Sequence, residues 1–167
     1  EATFRSTIVV TDAVGNQEKI QPSSTLISYD VEDDGTATIT PDNVDTEIEL
    51  EATNTNTSAN ATITESESPP SNTDAPGAET VGSYVNVEDI GVTVETATVE
   101  VPVDQDTPND TLSIYYASGG TEFSPEGVDR TGIEKKNGEK YIVGQVNGFS
   151  TFVAGKNTAP EIDSLDI

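Results

Sequence analysis

Short segments in which apolar and polar residues alternate strictly are the feature that most constrains the fold of this chain. Over 92–103, valine and alanine recur with threonine and glutamate between them, and over 47–51 Ile48 and Leu50 alternate with three glutamates. Successive side chains of a β-strand point to opposite faces, so a period of two places one set in the core and the other in water. Both segments therefore predict half-buried strands with one wet face.

The rest of the chain extends this pattern and gives no sign of long helices. Asn137-Gly138 marks a hairpin turn, while 66–80 has no bulky apolar side chain and predicts an exposed, mobile loop. We predict an all-β fold, an antiparallel β-sandwich of immunoglobulin-like architecture with few or no helices. Further strand signals lie at 26–29, 36–40, 61–65, 81–87, 112–116, 141–146 and 148–154. The expected core anchors are Val99, Val101, Ile114, Tyr115, Phe149 and Phe152.

One domain is expected over 24–155, with a different segment on either side. Residues 1–23 contain Thr11-Asp12-Ala13-Val14-Gly15-Asn16, which resembles the end of the last strand of bacterial-type immunoglobulin-like repeats. Two interpretations stay open for 1–23, the last strand of a preceding repeat and an N-terminal strand of the same domain. Residues 156–167 are a linker or the start of a following repeat, because Asn157-Thr158-Ala159-Pro160-Glu161-Ile162 resembles the opening of cadherin-like repeats. We therefore expect a piece of a longer protein.

Thirty-one acidic side chains against seven basic ones give the chain a formal net charge of −24. A phosphate backbone or an anionic membrane surface would repel such a chain, so nucleic-acid binding is not expected. Self-repulsion at this charge destabilises a compact fold in dilute salt, whereas molar salt shortens the screening length to about 3 Å. We expect a protein of a salt-loving organism, in particular a haloarchaeon. An acidic surface domain of a marine or soil bacterium is the alternative.

The chain lacks the residue types on which most catalytic and metal chemistry depends. It has no cysteine and no histidine, which removes disulfides, thiol catalysis, the commonest general base and the commonest transition-metal ligand. Phe149-Ser150 is similar to the cleavage point of self-cleaving modules, but Gly148 stands where those modules carry an assisting histidine. No segment approaches 18 consecutive apolar residues, so membrane insertion is not expected. We predict that the protein is not an enzyme and needs no cofactor, calcium excepted.

Several motifs follow one another between about 36 and 155. They are Val81-Gly82-Ser83-Tyr84-Val85-Asn86-Val87, Val99-Glu100-Val101-Pro102-Val103, Leu112-Ser113-Ile114-Tyr115-Tyr116 and Gly148-Phe149-Ser150-Thr151-Phe152-Val153. In this order they resemble the PGF-pre-PGF domain of archaeal surface proteins. The resemblance implies a β-rich extracellular module of a secreted or surface-anchored protein, without enzymatic activity. The aromatic or charged residue that the family usually carries before the closing motif is not evident here.

Two groups of aspartates are candidates for binding calcium, a hard cation that takes six to eight oxygen ligands. One group lies in the acidic turn at 30–35 and the other follows the strand predicted at 92–103. Neither has the spacing of an EF-hand loop, and a solvated acidic turn is the simpler interpretation of both. The candidate ligands are Asp30, Asp33, Asp34, Asp104, Asp106 and Asp110.

Three N-x-[ST] sequons, at Asn56, Asn60 and Asn109, are candidate glycosylation sites on exposed loops. A chain rich in threonine and asparagine also yields sequons by chance, so both interpretations stay open. Five of the seven basic residues are grouped near the C-terminal end, where they predict either a docking patch or cross-strand charge pairs around Asn137-Gly138. These five are Arg130, Lys135, Lys136, Lys140 and Lys156.

Together these observations predict a structural or spacer module of an extracellular archaeal surface protein, one bead in a stalk or surface layer. Its partners would be neighbouring domains of the same polypeptide or other cell-surface proteins. The alternative is an adhesion or recognition module that binds a glycan, a partner protein or calcium through its loops. Exposure of Tyr84, Tyr115 or Tyr116 would favour recognition, and their burial would favour the spacer.

Overall fold

The computed structural model of the chain describes residues 2–5, 8–11, 17–20, 23–42, 44, 46–70, 73–88, 90–117 and 122–156. Strands account for most of it. The first seven are β1 (Ala2–Arg5), β2 (Ile8–Thr11), β3 (Gln17–Ile20), β4 (Ser23–Val31), β5 (Thr36–Ile39), β6 (Ile48–Ala52) and β7 (Thr57–Ser66). The others are β8 (Glu79–Thr80), β9 (Tyr84–Glu88), β10 (Val94–Val103), β11 (Leu112–Ala117), β12 (Asp129–Lys136), β13 (Glu139–Val146) and β14 (Thr151–Lys156).

The strands form two antiparallel sheets that pack face to face. The first sheet has the order β1-β4-β7-β9-β14-β11, with β8 also paired to β14, and the second has the order β12-β13-β10-β6-β5. Strands β2 and β3 form a separate two-stranded sheet. A 3-10 turn at Asn109–Thr111 is the one helical element in the described part of the chain. The predicted all-β antiparallel sandwich is therefore confirmed.

Strand β1 extends the edge of the first sheet. It pairs antiparallel with β4, so that Ala2 lies opposite Leu26 and Arg5 lies opposite Ser23. Residues 2–5 thus share a sheet with the strands of the expected domain. The division of the chain at 23/24 and at 155/156 stays a prediction.

The core lies between the sheets and is built by the inward residues of the alternating strands. Val99 and Val101 of β10, Ile114 of β11 and Phe152 of β14 are almost fully buried, as expected for core anchors. Burying a side chain of this size stabilises a fold by roughly 1.5–3 kcal/mol. The other two expected anchors are only half-buried, because Tyr115 lies on the outer face of the first sheet and Phe149 precedes β14 in a loop.

Most of the described residues of 66–80 are exposed or half-buried, as predicted for a loop, but the end of the segment pairs with the first sheet. Val153 lies on the outer face of β14, between the core residues Phe152 and Ala154, and is nevertheless fully buried. Glu79 and Thr80 pair with β14 as strand β8, and Pro76 is buried. The sequence lacks bulky apolar residues here because backbone pairing and small side chains make these contacts.

The hairpin predicted at Asn137-Gly138 is present between β12 and β13. Both turn residues have positive φ, 52° and 93°, as a two-residue type I′ turn requires. Lys136 and Glu139 face each other directly beyond the turn. Strand β12 itself carries charges along most of its length and no alternating apolar residues, which is why sequence patterning indicates the turn more clearly than the strand.

The two acidic groups lie at opposite ends of the sandwich. The turn at 32–35 sits where β10 begins, since Ala52 bonds the Gly35 carbonyl and also lies opposite Val94. Asp104 directly follows the last residue of β10. Ten strand residues span about 30 Å, so the two groups cannot share one ion.

Candidate functional site

A groove borders β9 of the first sheet, and it is a candidate site. It consists of two depressions, of about 440 Å³ and 200 Å³, that meet at Asn86. Strand alternation explains the position of Asn86, because Val85 and Val87 point into the core and leave Tyr84, Asn86 and Glu88 facing outward. We call this feature the β9 groove.

Asn86 is held in the middle of the β9 groove by two hydrogen bonds. Its amide nitrogen donates to Glu88 Oε1 at 2.7 Å, and its Oδ1 accepts from the Thr151 hydroxyl at 2.9 Å. An asparagine amide has two N–H donors and two acceptor lone pairs, so one of each remains for a ligand. The side chain is therefore fixed in orientation while it keeps bonding capacity toward the groove.

The larger depression lies at the end of the sandwich where β9 and β14 diverge. Its floor is apolar and half-buried, formed by Ile90 and Val92 before β10 and by Phe149 before β14. Its rim is polar, with Glu88 on one side and Asn147 on the other. A volume near 440 Å³ falls in the range of about 300–1,000 Å³ that is typical of small-molecule sites.

The smaller depression closes the other end of the groove against Tyr84 and Pro69-Pro70. Tyr84 is only 4% exposed, because its ring packs edge-on against Phe123 with the ring centroids 5.7 Å apart. Burial raises the pKa of the Tyr84 phenol, and a hydrogen bond with Thr80 opposes that rise. The tyrosine therefore acts as a fixed wall of the groove.

A third depression, of about 340 Å³, lies on the outer face of the opposite sheet. Its surface is an array of threonines and carboxylates, in which Glu49 and Glu51 of β6 stand between Thr38 of β5 and Thr98 of β10. The two glutamates are exposed. This is the solvent-exposed face that the alternation of apolar and polar residues predicts. Unlike the β9 groove, the depression has carboxylates but no fixed apolar floor.

A partly buried charge cluster lies beside this array. Glu100 is only 7% exposed although it points to the outer face, and Lys136 bonds its Oε1 at 2.6 Å and Glu47 Oε1 at 2.9 Å. Burial raises the pKa of Glu100, and the bond from Lys136 opposes this. The bonds to Glu100 and Glu47 raise the pKa of Lys136 above its ordinary value. The bond from Lys136 offsets part of the cost of burying Glu100, so the cluster adds little net stability.

The candidate calcium ligands of the first acidic turn bond mainly to neighbouring residues. Asp34 Oδ1 accepts from the Thr36 backbone N–H at 3.1 Å and from the Thr36 hydroxyl at 2.7 Å, and these bonds lower the pKa of Asp34. Asp30 accepts from the Ser58 hydroxyl at 2.5 Å, while Asp33 is exposed. The turn is thus organised by its own hydrogen bonds.

The second acidic group is exposed and extended along the chain. Asp104 bonds through its backbone to Val81 and Thr107, and Asp106 and Asp110 face solvent. Over the described ranges, no three carboxylates come close enough together to hold a metal ion. Calcium binding by either group stays a prediction.

The three sequon asparagines are exposed. Asn56 lies between β6 and β7 with a positive φ of 49°, Asn60 is in β7 and Asn109 is in the 3-10 turn. Asn60 is not in a loop as expected, and its Oδ1 accepts from the Ser28 hydroxyl at 2.6 Å. Glycosylation of these residues stays a prediction.

Four of the five grouped basic residues are engaged inside the fold. Besides Lys136, the Arg130 guanidinium donates to the carbonyls of Leu112 and Asn109 at 3.1 Å and 2.8 Å. Lys156 pairs with Glu79 at 2.7 Å. Lys140 is buried and donates to the carbonyl oxygens of the 104–108 loop, those of Gln105 and Thr107.

The fifth, Lys135, is exposed. Arg130 is exposed as well, and the docking patch stays a prediction.

Tyr84 and Phe149 stand out in the sequence as aromatic residues, but Asn86 and Glu88 carry no signal of a site. The sequence pattern assigns Tyr84, Val85 and Val87 to a strand, and this alternation alone puts Asn86 and Glu88 on the wet face. The groove arises because the loop at 147–150 returns beside β9, a contact between positions about 60 residues apart. No local pattern reports such a contact.

Comparisons of the chain with models of known protein families, with curated proteins and with solved structures find no match. Across the described residues, none of the helical structure reaches the length and hydrophobicity of a membrane span.

Proposed function

We propose that this chain is a non-enzymatic structural or spacer module of an extracellular archaeal surface protein that works in high salt. The observation that carries the proposal is the way in which the basic side chains are bonded. Four of the five basic side chains with described surroundings are bonded within the fold, while carboxylates such as Glu49 and Glu51 face water. A surface with exposed carboxylates and few free cations becomes more stable when salt screens its charges, and it offers little charge complementarity to other molecules.

The tyrosines support the same proposal. Tyr84 is buried, Tyr116 stacks on Phe152 with the ring centroids 4.9 Å apart, and Tyr115 packs over Gly155. All three rings therefore contribute to the packing of the sandwich. The resemblance to the PGF-pre-PGF domain supports an extracellular archaeal setting and a place among neighbouring domains of one polypeptide.

The test is thermal unfolding followed by circular dichroism in about 0.1 M and then about 3 M NaCl or KCl, where the screening length falls from about 10 Å to about 2 Å. We expect the melting temperature to rise steeply with either salt. An equal melting temperature at both concentrations would contradict adaptation to high salt.

A recognition module is the second candidate, and the β9 groove is the observation that favours it. The same unfolding experiment also tests one form of recognition, the binding of calcium. Millimolar Ca²⁺ that raises the melting temperature at low salt, where Mg²⁺ does not, would indicate a specific calcium site. If Ca²⁺ has no effect, calcium is excluded as the ligand, and the β9 groove would then be tested with organic ligands.

A further inference from the structure

We propose that the β9 groove binds a neutral carbohydrate, with Asn86 and Glu88 as its hydrogen-bonding centre and Phe149 as its apolar floor. The proposal deepens the recognition candidate and is independent of the spacer function. It names a site and a ligand class, and it rests on the shape, charge and bonding capacity of the groove.

The polar groups of the groove suit a ligand that carries many hydroxyls. Each hydroxyl of a sugar is both donor and acceptor, and a planar amide beside a carboxylate offers both kinds of partner in one plane. Asn86 is fixed by Glu88 and Thr151 and keeps one donor and one acceptor position. A fixed partner loses less side-chain entropy when a ligand binds.

The apolar floor suits the other face of the same ligand. The ring face of a sugar presents C–H groups, which pack on aromatic and aliphatic surfaces. Phe149 and Ile90 form such a surface and are only half-buried. Packing within the described core does not explain why part of the Phe149 ring stays exposed.

The charge of the groove excludes anionic ligands. Among the residues that the structure describes, no lysine or arginine lines either depression, and Glu88 contributes a negative charge. Phosphorylated and sulfated ligands are recognised through clustered basic side chains, which are missing from this lining. Anionic ligands are therefore disfavoured, and among uncharged ligands a carbohydrate suits the donor and acceptor groups of the groove.

Strand pairing argues against an extended peptide. A peptide that adds to a sheet bonds to the free backbone groups of an edge strand. β9 is an internal strand, paired with β7 on one side and with β14 on the other. Between Val85 and Asn86 the backbone of β9 is paired on both sides, so a peptide in the middle of the groove would bind mainly through side chains.

The length of the groove indicates more than one sugar ring. Tyr84 and Glu88 are four residues apart on one strand, a distance of roughly 13 Å. The 440 Å³ depression at the Phe149 end is the larger of the two, and the 200 Å³ depression lies toward Pro69-Pro70. A short oligosaccharide fits this shape better than a single sugar.

The test is an array of neutral, sialylated and sulfated oligosaccharides, probed with the labelled chain in about 3 M NaCl, with titration calorimetry on each oligosaccharide that binds. We expect neutral oligosaccharides to bind, and Asn86→Ala and Glu88→Ala each to weaken them at least tenfold, about 1.4 kcal/mol. Glu49→Ala, which removes an exposed glutamate from the opposite sheet, should bind like the unaltered chain.

Glu88 is exposed, so its replacement keeps the test valid if Asn86→Ala fails to fold. The proposal is overturned if no neutral oligosaccharide binds, if only anionic ones bind, or if both groove variants bind as tightly as Glu49→Ala. Capture of peptides instead of sugars would also overturn it. None of these outcomes changes the expected salt dependence of unfolding, so the spacer proposal is judged separately.

Discussion

At the scale of single residues, the buried side chains of Lys140 and Tyr29 each donate hydrogen bonds to backbone carbonyls elsewhere in the chain. Lys140 lies on the inward side of β13 and closes the 104–108 loop by bonding two of its carbonyl oxygens. Tyr29 lies in β4 and donates its hydroxyl proton to the carbonyl of Ile90, which joins β4 to the segment before β10. Each links parts of the chain that strand pairing does not connect.

Replacing Lys140 by methionine should destabilise the fold by about 2–4 kcal/mol, because it leaves two loop carbonyls without their donor. The matched control is Lys135→Met, since Lys135 lies directly opposite Lys140 in the β12–β13 pair and is exposed. Both variants remove one positive charge. We expect the control to change the free energy of unfolding by less than about 0.5 kcal/mol in urea titrations. Equal losses would mean that net charge, and not the loop bonds, is responsible.

The Tyr29 phenol makes unfolding sensitive to alkaline pH. Burial raises the pKa of Tyr29 from its ordinary value near 10 to about 12. Between these values the unfolded chain loses a proton that the folded chain keeps, so stability falls as pH rises, by roughly 2–3 kcal/mol in total. Tyr29→Phe should flatten this slope in unfolding titrations between pH 10 and 12, while Tyr115→Phe, which leaves Tyr29 in place, should retain it. A steep slope in Tyr29→Phe would assign the effect to another group.

At the scale of elements, the β12–β13 hairpin depends on its turn. Gly138 has a φ of 93°, a left-handed conformation that disfavours any side chain. Gly138→Ala should therefore cost about 1–2 kcal/mol although the added methyl group would meet no atom within 4 Å. Gly132→Ala in the same hairpin is the control, since its added methyl group also meets open space and its φ is not left-handed. A control that loses as much stability would refute the role of backbone conformation.

The sequence predicted the elements whose signals are local. The alternation at 92–103 and the Asn-Gly turn became β10 and the β12–β13 hairpin, because side-chain period and turn conformation are properties of neighbouring residues. The packing of 66–80 and the half-burial of Phe149 could not be predicted this way. Both depend on which distant strand lies alongside, as when β8 pairs with β14. The β9 groove depends on the same kind of contact.

At the scale of the whole molecule, stability should depend on the outward carboxylates. Glu49 and Glu51 are exposed on β6, about 7 Å apart along the strand, so they repel each other in dilute salt. The double variant Glu49→Gln, Glu51→Gln should melt at a higher temperature than the unaltered chain in about 0.1 M salt. In about 3 M salt the difference should disappear because the charges are screened. A gain that persists in high salt would point to packing or strand propensity instead.

The internal bonding of Arg130, Lys136, Lys140 and Lys156 has a consequence for many copies of this domain side by side. A cation that is already bonded within one molecule is less available to the carboxylates of the next. Neighbouring copies therefore meet as like-charged surfaces, and the distance between them is set by the ions of the medium. A dense coat of such domains would swell when the brine is diluted and contract when it concentrates.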